Sequence, residues 1–488
     1  MLTLDLDLNG KVLFPSQGMS LLHGVPHYLL EQIRGELTFL NPEWSKKVKA
    51  NQPTDGTPQY IHVWRVPQNG SGLYIPRYYW KDVLWQYGQK VVCPPDAGNF
   101  QLTMKTQPRS ELPDQRPVAQ HLNSVDGDVG LCLPCGWGKS FLALYYAVQK
   151  PGRILVVAPT EVKLGEWIDE IKFHLGIDAK QIGHVQASTR KWIEYPIVVT
   201  MLKTLATQQF PPEFLNGFRR IICDEVHLFS AAVMSQALGK LNGDYIILSA
   251  TPGSGHRRKI LELHCGTNFV YAQDESRPST AHFIRVTVPD NVEGKEWRIQ
   301  KMILSKNKNY SWVATNFVNH ALNDGRRVLV LNSQINPLID IYRSGLPKAG
   351  FVIGENSLKF IVDEVDPGLG TTISKLPGTG WKQQASTYIK GVKKLCNPIL
   401  ATGLTKTQPG GMGMDVADLD GGVVMFPVAD DDMTQQLVGR WARNHPTKKD
   451  PVIVVMVPNT KTGIKLAQIM AAKMQSLGVT VYEQEAAI

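Results

Sequence analysis

The segment that most constrains the fold is VGLCLPCGWGKSFLALYYA at 129–147, where an apolar run passes through a glycine-bearing turn into a longer apolar run. That order is the local pattern of a buried strand feeding a buried helix. Gly136 and Gly138 let backbone N–H groups approach phosphate oxygens at the start of the helix, with Pro134 and Trp137 in the same loop. Lys139 is placed to reach the β- and γ-phosphates of a nucleoside triphosphate, and the Ser140 hydroxyl to reach Mg2+. The strict form of such a loop has glycine where Leu133 stands, so the strand before and the helix after carry the signal. Taken alone, the loop also fits a glycine turn with a surface lysine. Cys132 and Cys135 form a CxxC, but the second pair that a zinc site needs is missing.

From residue 129 onward short apolar runs alternate with helical patterns, the mark of a parallel sheet covered by helices. Strands are expected at 129–133, 154–158, 197–200, 220–223 and 245–249, with helices at 140–149, 162–175 and 231–241. A polar stretch at 272–308 interrupts the rhythm. It resumes with helices at 310–323, 335–342, 433–442 and 463–477 and strands at 327–331, 398–402, 422–426 and 452–457. The Gly/Pro/Thr-rich segment 366–380 reads as an exposed loop, and 410–413 as another. Before residue 112, LTFL, YIHVWRV and LYIPR are separated by Asn-Pro, Gly-Thr-Pro and Asn-Gly-Ser-Gly breaks, and the first residues, MLTLDLDLNG, alternate like a strand. The expected fold is α/β, with a small α+β module over 1–112 and two tandem parallel-sheet lobes over 113–285 and 286–488.

In RRIICDEVH, Asp224 and Glu225 fall at the carboxyl end of an apolar strand, where ligands of open α/β sheets gather. Asp224 is suited to hold Mg2+, and Glu225 to orient or deprotonate an attacking water. Alone, the pair equally suits a helix start, and without the lysine cradle it would suit a nuclease.

A hydrophobic share of 43% and a charged share of 19% are those of a folded globular protein. The net charge of +9 favours a polyanionic partner. Six scattered cysteines read as reduced thiols, the start lacks the pattern of a secretory signal, and no apolar run reaches membrane-helix length. The expectation is a soluble, cytoplasmic, monomeric protein without a membrane partner.

At Asp224-Glu225-Val226-His227 the sequence resembles superfamily 2 helicases and translocases, whose second acidic motif reads DEAH or a close variant. The resemblance extends over Ala158-Pro159-Thr160, over Val199-Thr200-Met201 through Lys203 to Leu205, and over Ser249-Ala250-Thr251. Upstream, Arg116-Pro117 with Gln120 is similar to the adenine-contacting segment. VLVLNSQ, including Ser333, is similar to motif IV, and Thr402 with Gly411 to Asp415 to a stretched motif V. Gln436-Leu-Val-Gly439-Arg440-Trp-Ala-Arg443 is similar to motif VI.

The resemblance implies two RecA-like lobes that bind ATP and Mg2+. It assigns Lys139, Glu225, Arg440 and Arg443 to catalysis, since an arginine brought to the transferred phosphoryl group is worth about 10³ to 10⁵ in rate. Gln436, Gly413 and Asp415 then serve the nucleotide, His227, Ser249 and Thr251 couple nucleotide state to movement, and Thr160, Thr200, Lys203, Ser333 and Thr402 meet nucleic acid. Arg440 and Arg443, three apart on an expected helix, can share a face.

QQLVGRWAR and the short second lobe look more like the group of bacteriophage branch-migration helicases (UvsW type), RecG and XPB than like DEAD-box RNA helicases. That implies forked, branched or duplex DNA as partner, with RNA second, and host-cell cytoplasm if the source is viral. LTFLNPEW followed by LYIPRYYW resembles the accessory module of phage and large-virus helicases, with Tyr78 in place of a glycine. Arg77 is expected on a phosphate and Tyr78, Tyr79 or Trp80 on an unpaired base, a contact worth about 1–3 kcal/mol. Core packing is the competing role for these aromatics. A DNA-packaging motor would need a downstream acidic cluster, and Asp430 to Asp432, the nearest, sits where acids favour a helix start. A clamp that binds ATP without cleaving it is the third possibility.

Overall fold

In a computed structural model of the chain, the described residues are 19–22, 24–49, 53–66, 72–79, 96–111, 113–134, 136–186, 189–226, 237–249, 255–272, 277–346, 348–378, 380–403, 416, 418–442, 445 and 447–485. They fall into two units, Met1–Gln273 and Asp274–Ile488. The strand expected at the very start, most of the helix expected at 231–241 and the loop expected at 410–413 lie outside the described residues.

The first unit opens with a small α+β part. Strand β1 (Met19–Leu22) pairs with β4 (Leu73–Pro76), and β2 (Thr38–Leu40) with β3 (Tyr60–His62), both antiparallel. The helix His27–Glu36 buries Leu29 and Ile33 against Leu22, Leu37, Leu73 and Ile75. β2 and β4 lie within the expected segments LTFL and LYIPR, and β3 covers the first three residues of YIHVWRV.

Behind it stands an eight-stranded sheet. Its strands are β5 (Val129–Cys132), β6 (Ile154–Ala158), β7 (Ile182–Gln186), β8 (Thr189–Lys191), β9 (Ile197–Met201), β10 (Arg220–Cys223), β11 (Asp244–Ser249) and β12 (Phe269–Tyr271), in the order β12-β5-β11-β10-β6-β9-β7-β8. All neighbours are parallel except β7 and β8. Each of β5, β6 and β10 is buried at every position, as strands covered on both faces require. One face packs on the helices Arg116–Ser124, Lys139–Ala147 and Glu161–Leu175. The outer strand β8, TRK, closes the edge with polar side chains.

The second unit is a seven-stranded, all-parallel sheet. Its strands are β13 (Thr280–Val286), β14 (Val328–Asn332), β15 (Gly350–Val352), β16 (Ile399–Thr402), β17 (Gly421–Val424), β18 (Val452–Pro458) and β19 (Thr480–Glu485), in the order β15-β16-β14-β17-β18-β13-β19. Hydrophobic clusters cover both faces. Gly422 lets the last turn of the helix Asp431–Trp441 lie on β17, because a Cβ there would stand 2.6 Å from the Trp441 ring. The Trp441 indole N–H donates to the Gly421 carbonyl at 3.0 Å.

Beside the boundary expected at 285/286, the division between the two units falls at 273/274, and β13 lies between β18 and β19 in the second sheet. The polar stretch 272–308 contains both β13 and the helix Trp297–Leu304. The loop expected at 366–380 contains the helix Pro367–Ser374. Pro367 occupies its first turn, the Asp366 carboxylate accepts the Leu369 N–H, and Ile373 is buried, so capping outweighs a weak composition.

Candidate ATP site

The site is built where β5, β6 and β10 end. Strand β5 runs into a turn in which Gly136 and Gly138 both adopt left-handed backbone angles, φ 84° and 78°. Gly138 is also the N-cap of the helix Lys139–Ala147, so the loop's backbone donors gather at a helix start. The Lys139 ammonium donates to the carbonyls of Leu133 at 2.8 Å and Pro134 at 3.1 Å, which holds it across the loop. Ser140 follows on the first turn, half-buried, as do Pro134 and Trp137 in the loop.

The glutamine that supports this loop is Gln115, which the sequence reading missed. It is buried. Its amide N–H donates to the Trp137 carbonyl at 2.9 Å and its oxygen accepts the Arg109 N–H at 3.0 Å. Arg109 in turn donates to the Gly136 carbonyl at 3.2 Å. Arg116 and Gln120 are exposed on the neighbouring helix, and Arg116 pairs with Asp114 at 2.8 Å. The signal that would have found Gln115 is its place one residue before the Arg-Pro helix start.

Asp224 and Glu225 leave β10, and the Asp224 N–H still bonds to the Val157 carbonyl of β6 at 3.1 Å. The Asp224 carboxylate is buried and accepts the Trp167 indole N–H at 3.1 Å. Burial pushes its carboxyl above the usual range and Glu225 pushes the same way, while Lys163 and Lys139 pull it down. Lys139, Lys163, Asp224 and Glu225 thus share one electrostatic neighbourhood. Glu225 has φ 51°, a left-handed angle that costs a residue with a Cβ about 1–2 kcal/mol.

Ser140 and Asp224 offer the hard oxygen donors that Mg2+ takes, and a magnesium held mainly by phosphates and water needs only one or two such groups. Among the described residues no cluster of three or more His, Cys, Asp or Glu could hold a metal unaided. The residues present fit a nucleotide-borne Mg2+.

The remaining expectations divide. Ser249 is buried at the end of β11, while His227 and Thr251 lie outside the described residues. Thr160 is exposed and caps the helix Glu161–Leu175 by accepting the Lys163 N–H. Lys203 is exposed and Ser333 half-buried. Thr200 is corrected: it is fully buried and donates its hydroxyl to the Val185 carbonyl at 2.7 Å, so that side chain presents no surface to a strand. Thr402, Gln436 and Arg440 are buried in the second unit. Gly413, Asp415 and Arg443 lie outside the described residues, and Arg440 lies on the helix Asp431–Trp441.

Arg77 is also corrected. Its guanidinium donates to the Asp128 carboxylate at 2.5 Å, to the Gly243 carbonyl at 2.8 Å and to the His264 carbonyl at 3.1 Å, and it lies 4.8 Å over the Tyr245 ring. Tyr78 donates to the same Asp128 carboxylate and Tyr79 to Glu36 at 2.6 Å. Arg77 and Tyr78 tie the α+β part to the sheet, while Tyr79 bonds within the α+β part. Trp80 lies outside the described residues.

Residues 112–258, all within the first unit, match the DEAD/DEAH box helicase family. A protein of Acanthamoeba polyphaga mimivirus, provisionally described as an ATP-dependent RNA helicase, is 27% identical over 223 residues, which is 45% of this chain and 40% of that protein. The match therefore spans less than half the length of that relative. Among solved structures, S. cerevisiae Dbp5 bound to RNA and ADP BeF3 is similar over 75% of this chain and 89% of its own, at 10% identity and a TM-score of 0.51. T4 UvsW aligns over 98% of this chain and 99% of its own, at 16% identity and a TM-score of 0.37. The fold is α/β with two RecA-like lobes, as expected. No helix among the described residues is long and apolar enough to cross a membrane.

Proposed function

We propose that the chain is an ATP-driven nucleic-acid motor of superfamily 2, acting as a helicase or translocase on forked or branched DNA. The observation that carries the ATPase part is the grouping of Lys139, Asp224 and Glu225 at the carboxyl edge of one parallel sheet, beside a glycine loop that starts a helix. Backbone N–H groups and Lys139 bind the triphosphate, Ser140 and Asp224 hold its Mg2+, and Glu225 takes the proton of the attacking water. Bound Mg2+ supplies charge neutralisation of the phosphates. Arg440 and Arg443 are assigned to the developing phosphoryl charge.

The DNA part is supported by the motif VI pattern, and the net charge of +9 suits any nucleic acid. It no longer draws on Arg77, whose guanidinium is committed inside the protein. RNA is the second reading, favoured by the description of the mimiviral relative.

The test is ATP turnover with no nucleic acid, single strand, duplex, fork, Holliday junction and RNA, with Lys139→Ala as control. Stimulation by forks or junctions with matching strand displacement supports the proposal. Stimulation by RNA alone would replace DNA with RNA, and turnover equal in Lys139→Ala and the parent would remove the ATPase assignment.

A further inference from the structure

Trp167 is the largest fully buried side chain of the first unit's core, and it belongs to neither the phosphate loop nor the acidic pair. It sits on the second turn of the helix Glu161–Leu175, whose start is fixed by the Thr160 cap. Its ring packs among the apolar residues of the sheet face, but its one polar atom is aimed at Asp224 Oδ2, at 3.1 Å. One turn earlier on the same helix, Lys163 pairs with Glu166 at 3.0 Å and its charge acts on Asp224 and Glu225.

We infer that Trp167 is a positioning residue for the metal: its indole N–H holds Oδ2 and so fixes the plane of the Asp224 carboxylate, the group that would hold the ion. The inference rests on the reading of Asp224 as a Mg2+ holder. A carboxylate on the first residue after a strand can rotate about its side-chain torsions. One donor from a rigid, buried ring removes that freedom without adding a charge. Second partners of this kind commonly change metal affinity by about 10- to 100-fold. A core tryptophan that merely satisfies its N–H makes a different forecast, because its loss would touch fold stability and not the metal.

The test uses the full chain with Trp167→Phe, which keeps an aromatic ring and removes the donor. A second variant carries benzothienylalanine at 167, an indole isostere with sulfur in place of N–H, so a folding defect in the first leaves the question answerable. Mn2+ binding in the presence of ADP is read by electron paramagnetic resonance, and ADP binding in EDTA by calorimetry. The expected result is Mn2+ binding weakened by about 10-fold or more, with metal-free ADP binding unchanged. Unchanged Mn2+ binding, or an equal loss of ADP binding in EDTA, overturns the role of Trp167. Asp224→Ala separates the two layers. If it leaves Mn2+ binding intact, the assignment of Asp224 itself fails, whatever Trp167 does.

Discussion

The Arg77 guanidinium and the Asp128 carboxylate form an ion pair at 2.5 Å with only 14% and 6% of their side chains exposed. Asp128 also accepts the Tyr245 backbone N–H at 2.5 Å and the Tyr78 hydroxyl, so one carboxylate joins the turn after β4 to the starts of β5 and β11. Burial pushes the Asp128 carboxyl up, and Arg77 is the strongest influence drawing it back. The relationship is one of architecture.

Removing one partner of such a pair leaves a buried charge uncompensated, a loss of about 3–5 kcal/mol. Arg77→Met is therefore expected to lower unfolding free energy by that order in urea denaturation. Under native conditions it should leave the salt dependence of oligonucleotide binding unchanged, since no phosphate contact is lost. A shallower salt dependence with unaltered stability would return Arg77 to the nucleic-acid surface.

Lys139 and Glu225 should separate binding from chemistry. Lys139→Ala removes the cation that its loop holds over the Leu133 and Pro134 carbonyls, so both ATP affinity and turnover fall. Glu225→Gln keeps size and polarity and loses the base, which should reduce turnover by about 10²- to 10⁴-fold with ADP affinity retained. Phosphate release and ADP calorimetry on the same preparations check this. Equal phosphate release from Glu225→Gln and the parent would favour a clamp that does not cleave ATP.

Gly138→Ala should act twice. The left-handed backbone at φ 78° costs a residue with a Cβ about 1–2 kcal/mol. The new methyl would also stand 2.1 Å from the Gln115 amide nitrogen that donates to Trp137. Nucleotide affinity is expected to fall about tenfold, equivalent to about 1.4 kcal/mol. Combined with Gln115→Ala, which vacates the space, the double variant should lose less than the sum of the single losses, while the backbone part persists. Strict additivity in calorimetry would show that the brace and the loop are independent.

The legible parts of the sequence were those with a strong local pattern. Lys139 and Asp224 each follow a short, mainly apolar run, and those runs became the fully buried β5 and β10. β13 was hidden because His282 and Arg285 interrupt its apolar residues, even though it lies inside the second sheet. The helix Pro367–Ser374 was hidden because its stability comes from the Asp366 cap and from burial of Ile373, not from helix-favouring residues. Arg77 was misplaced for a related reason: a lone arginine among aromatics carries no local sign that its partner, Asp128, is 51 positions away. Gln115 acts through contacts with Arg109 and Trp137, and only its place one residue before the Arg-Pro helix start marks it in the sequence.

His264 supplies a pH signature independent of catalysis. It is buried, and both ring nitrogens lack a hydrogen-bond partner among the described residues. Burial, with Arg65 and Arg77 adding like charge, lowers its pKa from 6.5 to about 3. The folded chain therefore keeps a neutral ring while the unfolded chain takes up a proton, so stability falls as pH drops from about 6.5 toward 3. The slope from this group is at most about 1.4 kcal/mol per pH unit. His264→Leu removes the titrating ring and is expected to flatten the fall in unfolding free energy between pH 6 and 4, when compared with the parent by urea denaturation at each pH, about a unit apart. Parallel pH dependences for the two proteins would show that His264 is protonated, or paired, in the folded state.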